Sequence, residues 1–430
     1  MLQIRAALMK KALAVLPPPP YTTILYKNQF MDLWACGRAR EPWAEAWRQL
    51  PLVLHDANLA DAVEINLPKE YEERQHDPDD LTEIISKALK HHPGPIGCLR
   101  LDRTACPGPG LLVDWMETLS AKEVRDLMMV NATRPPDMDF PVQRLRSRSL
   151  RSLALGFFSL PSLGSLGLYR SLPSLQDIYL LGCGFPGRGL SEVIQSLPVL
   201  SSLTMACCQV TAGCSRQGLR IESRTLRTLR LSNCTASAPL TIADAPDLQV
   251  LITGVTSALP PSQQVFIDLR SAPSLRTLQQ LALHLHHLRV VSFLECLQSL
   301  GVCIQVCVAS HAALLGHILA DLPRLAELEL SRVDNLPPGG QDDEACCRAW
   351  SLAMMPPCIT SWLRYLVARD YRGGAGEVAL VRRVLSVAAM LVSVTIHLQP
   401  TVRAEEATAT FDRCPRASKD CTIKVVGGSA

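Results

Sequence analysis

Sixteen cysteines are the residues of this 430-residue chain with the widest choice of chemistry, and their spacing limits what they can do. A structural zinc site usually takes close pairs of ligands from tight turns, and the sequence contains no C-x-x-C pair. His284, His286 and His287 lie on an apolar run without a neighbouring cysteine pair. The apolar stretch at residues 12–16 is too short for a secretory signal, so a disulfide framework is not expected. We predict no metal site and reduced thiols in the cytoplasm, the nucleus or both, with an organelle transit peptide as the open alternative.

Glycine-rich and acidic stretches offer the next candidates for chemistry. Gly182, Gly184 and Gly187 match the G-x-G-x-x-G spacing of dinucleotide-binding loops, but no acidic residue stands about 20 positions further on. We interpret this motif as a loop between repeats. The carboxylates at 342–344 follow a Pro/Gly-rich connector and are interpreted as solvated boundary residues. The sequence has no nucleophile elbow, zinc-protease helix or P-loop, so we predict a non-enzyme with no catalytic residues and no cofactor.

Charge and hydropathy narrow the choice of partners. The net charge is only +3, from 43 basic and 40 acidic residues, which is not typical of a polyanion-binding protein. The basic cluster Arg144, Arg146, Arg148 and Arg151 has no interleaved aromatic residues and is interpreted as a solvated loop. No apolar run approaches the roughly 18–20 residues of a membrane helix. We therefore expect neither nucleic acid nor a membrane as partner.

An internal repeat is the strongest pattern in the chain. Units of the form L-x-x-L-x-L, with any aliphatic residue allowed, recur every 22 to 28 residues, within the period of leucine-rich repeats. The units are Ile96-Leu99-Leu101, Val124-Leu127-Met129, Leu150-Leu153-Leu155, Leu175-Ile178-Leu180, Leu200-Leu203-Met205, Leu226-Leu229-Leu231 and Leu248-Leu251-Thr253. Further units, of less certain phase, are Leu297-Leu300-Val302, Leu325-Leu328-Leu330 and Leu391-Val394-Ile396.

The repeat predicts an α/β fold, a leucine-rich-repeat solenoid over residues 96–340. Each unit should supply a short strand to one curved parallel sheet, with helical or irregular return segments on the convex side. Residues 61–95 are expected to be a linker and a helix. Cys183, Cys208 and Cys234 fall three positions after the last apolar residue of their units, where the repeat consensus has Asn or Cys. We interpret these three cysteines as structural.

Residues between the core positions should project from the concave face in columns. The first column contains Arg100, Met128, Ala154, Tyr179, Thr204, Arg230 and Ile252. The second contains Cys98, Asp126, Ser152, Asp177, Ser202, Thr228 and Val250. The candidate partner-binding residues are Arg100, Met128, Tyr179, Thr204, Arg230 and Ile252. The mixed side chains favour a protein or peptide partner, with a merely solvated sheet face as the alternative.

The two ends carry a family resemblance. Trp43 and Trp47, four apart and followed by Pro51-Leu-Val-Leu, resemble the end of a plant F-box, assigned to residues 43–60. Residues 355–400 resemble the FBD module of grass F-box/LRR proteins through Cys358, Tyr371-Arg372-Gly373 and Glu377. The resemblance implies a substrate-recognition subunit of an SCF-type E3 ubiquitin ligase. Trp43, Trp47 and Pro51 would then be what remains of the surface that docks on the SCF adaptor, and the target protein is unknown.

The resemblance is incomplete at both ends. Residues 1–42 form an atypical N-terminal segment without the Leu-Pro and aliphatic series that opens an F-box. We expect a truncated or degenerate F-box or a misassigned start, and the alternative function is an interaction scaffold or decoy uncoupled from ubiquitylation. A helix over 377–390 and one strand are predicted to cap the solenoid. The tail at 401–430 has few core signals and is predicted to be poorly ordered.

Overall fold

The computed structural model describes residues 51–56, 78–102, 106–131, 138–160, 171–211, 219–236, 240–254, 265–282, 286–290, 294–304, 309–332, 355–412 and 414–427. The predictions for Trp43, Trp47, His284 and the carboxylates at 342–344 lie outside these residues. The chain divides into two compact units. Unit 1 runs to Leu219 and includes Cys234–Ala236, and unit 2 comprises Arg220–Asn233 and the chain from Ser237 onward.

Unit 1 is built on a parallel sheet with one strand per repeat. Its strands are β1 (Leu52–His55), β2 (Ile96–Leu101), β3 (Asp126–Val130), β4 (Ser152–Gly156), β5 (Asp177–Leu181) and β7 (Ser202–Ala206). They pair in that order, and every pair is parallel. The predicted parallel sheet is confirmed.

The leucine ladder forms the core of this unit. In the β4 repeat, Leu150 lies in the turn before the strand and Leu153 and Leu155 point inward, all at 5 % exposure or less. Burying one such side chain contributes roughly 1.5–3 kcal/mol. A repeat has no second layer of its own, so this gain comes only from stacking on neighbouring repeats.

The return segments of unit 1 contain helices in some repeats and short strands in others. The helices are α1 (Pro78–His91), α2 (Pro109–Ala121) and α3 (Gly187–Ser196). In α2 an apolar stripe of Leu112, Trp115, Met116 and Leu119 is buried, and the indole N–H of Trp115 donates to Ser86 Oγ of α1 at 3.0 Å. Short strands β6 (Gly184–Pro186), β8 (Gln209–Thr211) and β11 (Thr235–Ala236) form a second small parallel sheet.

Unit 2 continues the one-strand-per-repeat pattern. Its main strands are β10 (Thr228–Ser232), β13 (Val250–Gly254), β15 (Thr277–Ala282), β17 (Ser299–Cys303), β18 (Glu327–Ser331), β19 (Tyr365–Tyr371), β20 (Ser393–Leu398) and β21 (Thr422–Val426). All neighbours in this order are parallel. The three downstream units of less certain phase supply β17, β18 and β20, so their assignment as repeats is confirmed.

Strands replace helices in several return segments of unit 2. These strands are β9 (Leu219–Glu222), β12 (Leu240–Asp244), β14 (Val265–Leu269) and β16 (His286–Val290), which form a four-stranded sheet. The repeat from Leu231 to Thr253 has only 22 residues, which favours an extended return over a helix. Helices α4 (Ala309–Ala320), α5 (Pro357–Ser361), α6 (Ala375–Val387) and α7 (Ala404–Asp412) follow later.

The ends of the sheet differ from the prediction. The Pro-Leu-Val-Leu stretch assigned to the F-box end supplies β1, so the sheet begins before residue 96. The helix and the strand that were predicted as a cap are α6 and β20. Together with β19 they form two further repeats. The prediction of a poorly ordered tail is wrong, because α7 buries Phe411 against Tyr371 and β21 pairs with β20. Among the described residues, no helix has the length and apolarity to cross a membrane.

A left-handed residue follows the strand in consecutive repeats. Phe157, Gly182 and Cys207 have φ of 58°, 60° and 53° directly after β4, β5 and β7, and Asn233 has 55° after β10. Such values are uncommon for residues with a Cβ and turn the chain sharply. The turn continues the hydrogen-bond ladder, since the Phe157 N–H donates to Leu181 O and the Gly182 N–H to Ala206 O.

Candidate functional site

The two predicted columns of outward-facing residues exist in unit 1. In the first column Arg100 lies opposite Met128, Met128 opposite Ala154, Ala154 opposite Tyr179 and Tyr179 opposite Thr204. Neighbouring strands of a sheet lie about 4.8 Å apart, so the column is a continuous row of side chains. Thr204 is the most buried member, at 9 % exposure.

Unit 2 carries the same two columns. Arg230 lies opposite Ile252 in the first column and Thr228 opposite Val250 in the second, as predicted. The first column continues through Gln279, Gly301, Glu329, Val367, Thr395 and Lys424. The second continues through Thr277, Ser299, Glu327, Tyr365, Ser393 and Thr422.

Two carboxylates dominate the electrostatics of the second column in unit 1. Asp126 and Asp177 lie one strand to either side of Ser152. Burial raises the pKa of both carboxyl groups; for Asp126 the charges of Arg151 and Arg125 work in the opposite direction. Partly dehydrated carboxylates beside the small side chain of Ser152 favour contact with a cationic or hydrogen-bond-donating group of a partner.

Arg100 is already engaged at the start of the sheet. Its Nε and Nη2 both donate to Asp102 Oδ2, at 3.0 and 2.9 Å, and the Asp102 backbone N–H donates to Asp56 Oδ2 at 2.9 Å. Arg100 is therefore held flat along β2 by its own chain. A carboxylate of a partner would have to displace Asp102 from the Arg100 guanidinium.

A Cys–His contact lies beside this corner. Cys98 Sγ is 3.6 Å from His55 Nε2. Burial raises the pKa of the Cys98 thiol to about 12 and lowers that of His55. Both groups are thus neutral near pH 7, whereas a cysteine nucleophile needs a lowered thiol pKa. The geometry favours a packing contact.

A third outward column was missed by the sequence reasoning. Val130, Leu181 and Phe157 form a buried apolar cluster at the ends of the strands, with Met128 and Ala206 packed against it. The left-handed backbone of Phe157 places its ring over Gly182, where a Cβ would meet the ring at 2.5 Å. The alternation beyond Met128 could have predicted Val130, but nothing in the pattern predicts the turn of Phe157.

The three predicted structural cysteines occupy the turn after their strands. Cys183 Sγ donates to Leu155 O at 3.5 Å, Cys208 Sγ to Leu180 O at 3.3 Å and Cys234 Sγ to Met205 O at 3.5 Å. Each bond reaches back to the preceding repeat. Burial raises the pKa of the Cys183 thiol to about 11, and that of Cys208 is also raised. These weak bonds to the backbone support the interpretation of the three cysteines as structural.

The third residue of the predicted adaptor-docking set, Pro51, lies directly before β1. A Cβ on Gly97 would come within 3.2 Å of Pro51 Cβ, so Pro51 packs closely on the second strand of the sheet. Pro51 therefore belongs to the repeat layer in this structure.

The architecture defines the class of protein as a leucine-rich-repeat solenoid. Residues 112–294, under half of the chain, match the family model described as "FBD-associated F-box protein At5g56370, LRR repeats". No curated protein matches the chain. Over these residues the chain is similar to the leucine-rich repeats of that family, and this similarity indicates a role in protein interaction.

Proposed function

We propose that the chain is a non-catalytic substrate receptor of an SCF-type E3 ubiquitin ligase. The observation that carries the proposal is that the repeats matching an F-box-associated family display aligned side-chain columns. The ligase chemistry would reside in other subunits, and this chain would hold a target protein near them. The proposed place of action is the cytoplasm or the nucleus, where thiols stay reduced.

The outward face has the make-up of a protein-binding surface. Tyr179 supplies a large amphipathic ring in the middle of unit 1, and Arg230 supplies a guanidinium in unit 2. Tyrosine and arginine are enriched among the residues that dominate binding energy at protein interfaces. Small neighbours such as Ser152 and Ala154 leave space beside Tyr179 for a partner side chain.

Affinity purification of the full-length chain followed by mass spectrometry tests the target-binding half. We expect Tyr179→Ala and Arg230→Ala each to deplete the same specific prey. Arg224→Ala, which removes an exposed arginine from the turn before β10, is the matched control and should leave the prey unchanged. Identical prey in all four proteins would contradict binding by this face.

A scaffold or decoy uncoupled from ubiquitylation is the second candidate. It is favoured by residues 1–42, which lack the aliphatic pattern of an F-box. A pull-down with purified SCF adaptor separates the two candidates. Capture of the adaptor supports the receptor, and retention of prey without the adaptor supports the scaffold.

A further inference from the structure

Four large apolar side chains of unit 2 are exposed close together. Trp362 is 54 % exposed, Met390 50 %, Val392 48 % and Tyr365 44 %. We name these four residues the C-terminal apolar patch. Single exposed apolar residues are ordinary on a protein surface, but a contiguous group of them marks an interaction site.

The repeat register makes the patch contiguous. Trp362 and Met390 hold the same position in adjacent repeats, one residue before the buried Leu363 and Leu391. The Ala389 N–H donates to Thr360 O at 3.3 Å and the Val392 N–H to Arg364 O at 2.8 Å, so the two lead-in turns lie side by side. Tyr365 begins β19, directly opposite Ser393 of β20.

Hydrogen bonds and buried leucines hold the backbone of the patch in place. The Trp362 N–H donates to Cys358 O at 3.1 Å, and the Cys358 thiol donates to Leu319 O at 3.1 Å in the preceding repeat. Leu363 and Leu391 anchor both turns in the core, at 0 % and 1 % exposure. A pre-ordered apolar surface loses little conformational entropy when a partner binds.

The charged residues around the patch indicate which charge a partner should carry. Arg324 occupies the Trp362 position one repeat earlier, and Arg364 lies between Trp362 and Tyr365; both are exposed. The carboxylate nearest in the register is Glu327, opposite Tyr365, and its field acts on Arg369. On the far side Lys419 and Asp420 contribute one charge of each sign. The border of the patch is therefore basic on the side of Arg324 and Arg364.

We propose that the C-terminal apolar patch docks a segment of a partner protein that carries apolar side chains next to aspartate or glutamate. The apolar side chains would cover Trp362, Met390 and Val392, and the carboxylates would meet Arg324 and Arg364. Tryptophan, tyrosine, methionine and arginine are enriched at interfaces, in line with this composition. The docking does not depend on coupling to a ubiquitin ligase.

Selection from a random peptide library on the immobilised full-length chain tests the proposal. Selected peptides should combine aromatic or aliphatic residues with Asp or Glu. In fluorescence anisotropy the double variant Trp362→Ala/Met390→Ala should lose about tenfold or more in affinity. Arg324→Glu/Arg364→Glu should weaken binding and reduce its dependence on salt.

Two matched variants control for non-specific effects. Val199→Ala removes an apolar side chain that is 41 % exposed elsewhere, and Arg224→Glu reverses an exposed arginine in another repeat; both should bind like the wild type. All variants change exposed residues, so their circular dichroism and thermal midpoints should match the wild type. Peptides rich in Lys or Arg, equal binding to the double variant, or no selected peptide would overturn the proposal. Concentration-dependent dimerisation abolished by Trp362→Ala/Met390→Ala would also overturn it, because a second copy would then be the occupant.

Discussion

Replacing Gly182 with alanine should destabilise the protein strongly, although this glycine stands in a G-x-G-x-x-G spacing. Its φ of 60° costs an L-residue roughly 1–2 kcal/mol. The new Cβ would lie 2.5 and 2.6 Å from Cδ1 and Cε1 of Phe157, which is itself buried. Forcing the ring away costs roughly a further 1–3 kcal/mol. We expect a loss of about 2–5 kcal/mol in the free energy of unfolding.

Gly184 is the matched control, two residues away in the same motif. A Cβ there meets nothing within 4 Å, and the backbone lies outside the left-handed region. Gly184→Ala should therefore change the free energy of unfolding by less than about 1 kcal/mol, in the stabilising direction if at all. Urea denaturation followed by far-ultraviolet circular dichroism measures both variants.

A double-mutant cycle separates the two contributions. In a Phe157→Ala background the clash disappears, and Gly182→Ala should cost only the backbone part, roughly 1–2 kcal/mol. An equal cost in both backgrounds would refute the steric argument. Wild-type stability for Gly182→Ala would refute the whole account of the turn after β5.

Other predictions follow from buried groups. Folding raises the thiol pKa of Cys183 from 9.0 to about 11. The stabilisation of the folded state by this protonated thiol is therefore fully present below pH 9 and is lost by pH 11. Stability should fall by about 2 kcal/mol more over this range in the wild type than in Cys183→Ala, measured by urea denaturation at each pH. Iodoacetamide at pH 8 should label the exposed Cys296 in the native protein and Cys183 only after unfolding, as read by peptide mass spectrometry; equal labelling would contradict the burial. Glu377 Oε2 accepts the Arg372 and Gly374 N–H groups, at 3.1 and 3.0 Å, so Glu377→Ala should cost about 2 kcal/mol and lower the thermal midpoint, whereas Glu377→Gln should keep part of the stability. An unchanged midpoint for Glu377→Ala would contradict that capping role.

The repeat could be predicted wherever the L-x-x-L-x-L spacing is regular. It was missed at β15, because Gln280 takes a left-handed φ of 59° and shifts the register. The third core residue is then Leu281, three positions after Leu278 and not two. In β19 the spacing is regular, but its third core residue is the small Ala368; a left-handed Asp370 follows, and Tyr371 is buried three positions after Ala368. A left-handed residue with a Cβ has no signature in a hydrophobic pattern.

The outward columns could be predicted from alternation, since residues flanking a core position must face the other way. Which of these residues are already paired or buried could not be predicted. The hydrogen bond from Arg100 to Asp102 depends on the bend of the chain after β2. The burial of Val130 and Leu181 depends on the left-handed backbone of Phe157. The tail was mispredicted because β21 offers only Ile423 and Val425 to the core side, and its packing comes from Phe411 and Cys421 outside the repeat spacing.

Binding of the full-length chain to purified SCF adaptor is the most direct test of the proposed receptor function. Size-exclusion chromatography with multi-angle light scattering would show whether the two proteins form a defined complex. We predict a 1:1 complex that is lost in Trp43→Ala/Trp47→Ala and retained in Arg224→Ala. Separate elution of chain and adaptor at concentrations well above those in the cell would contradict a ligase receptor.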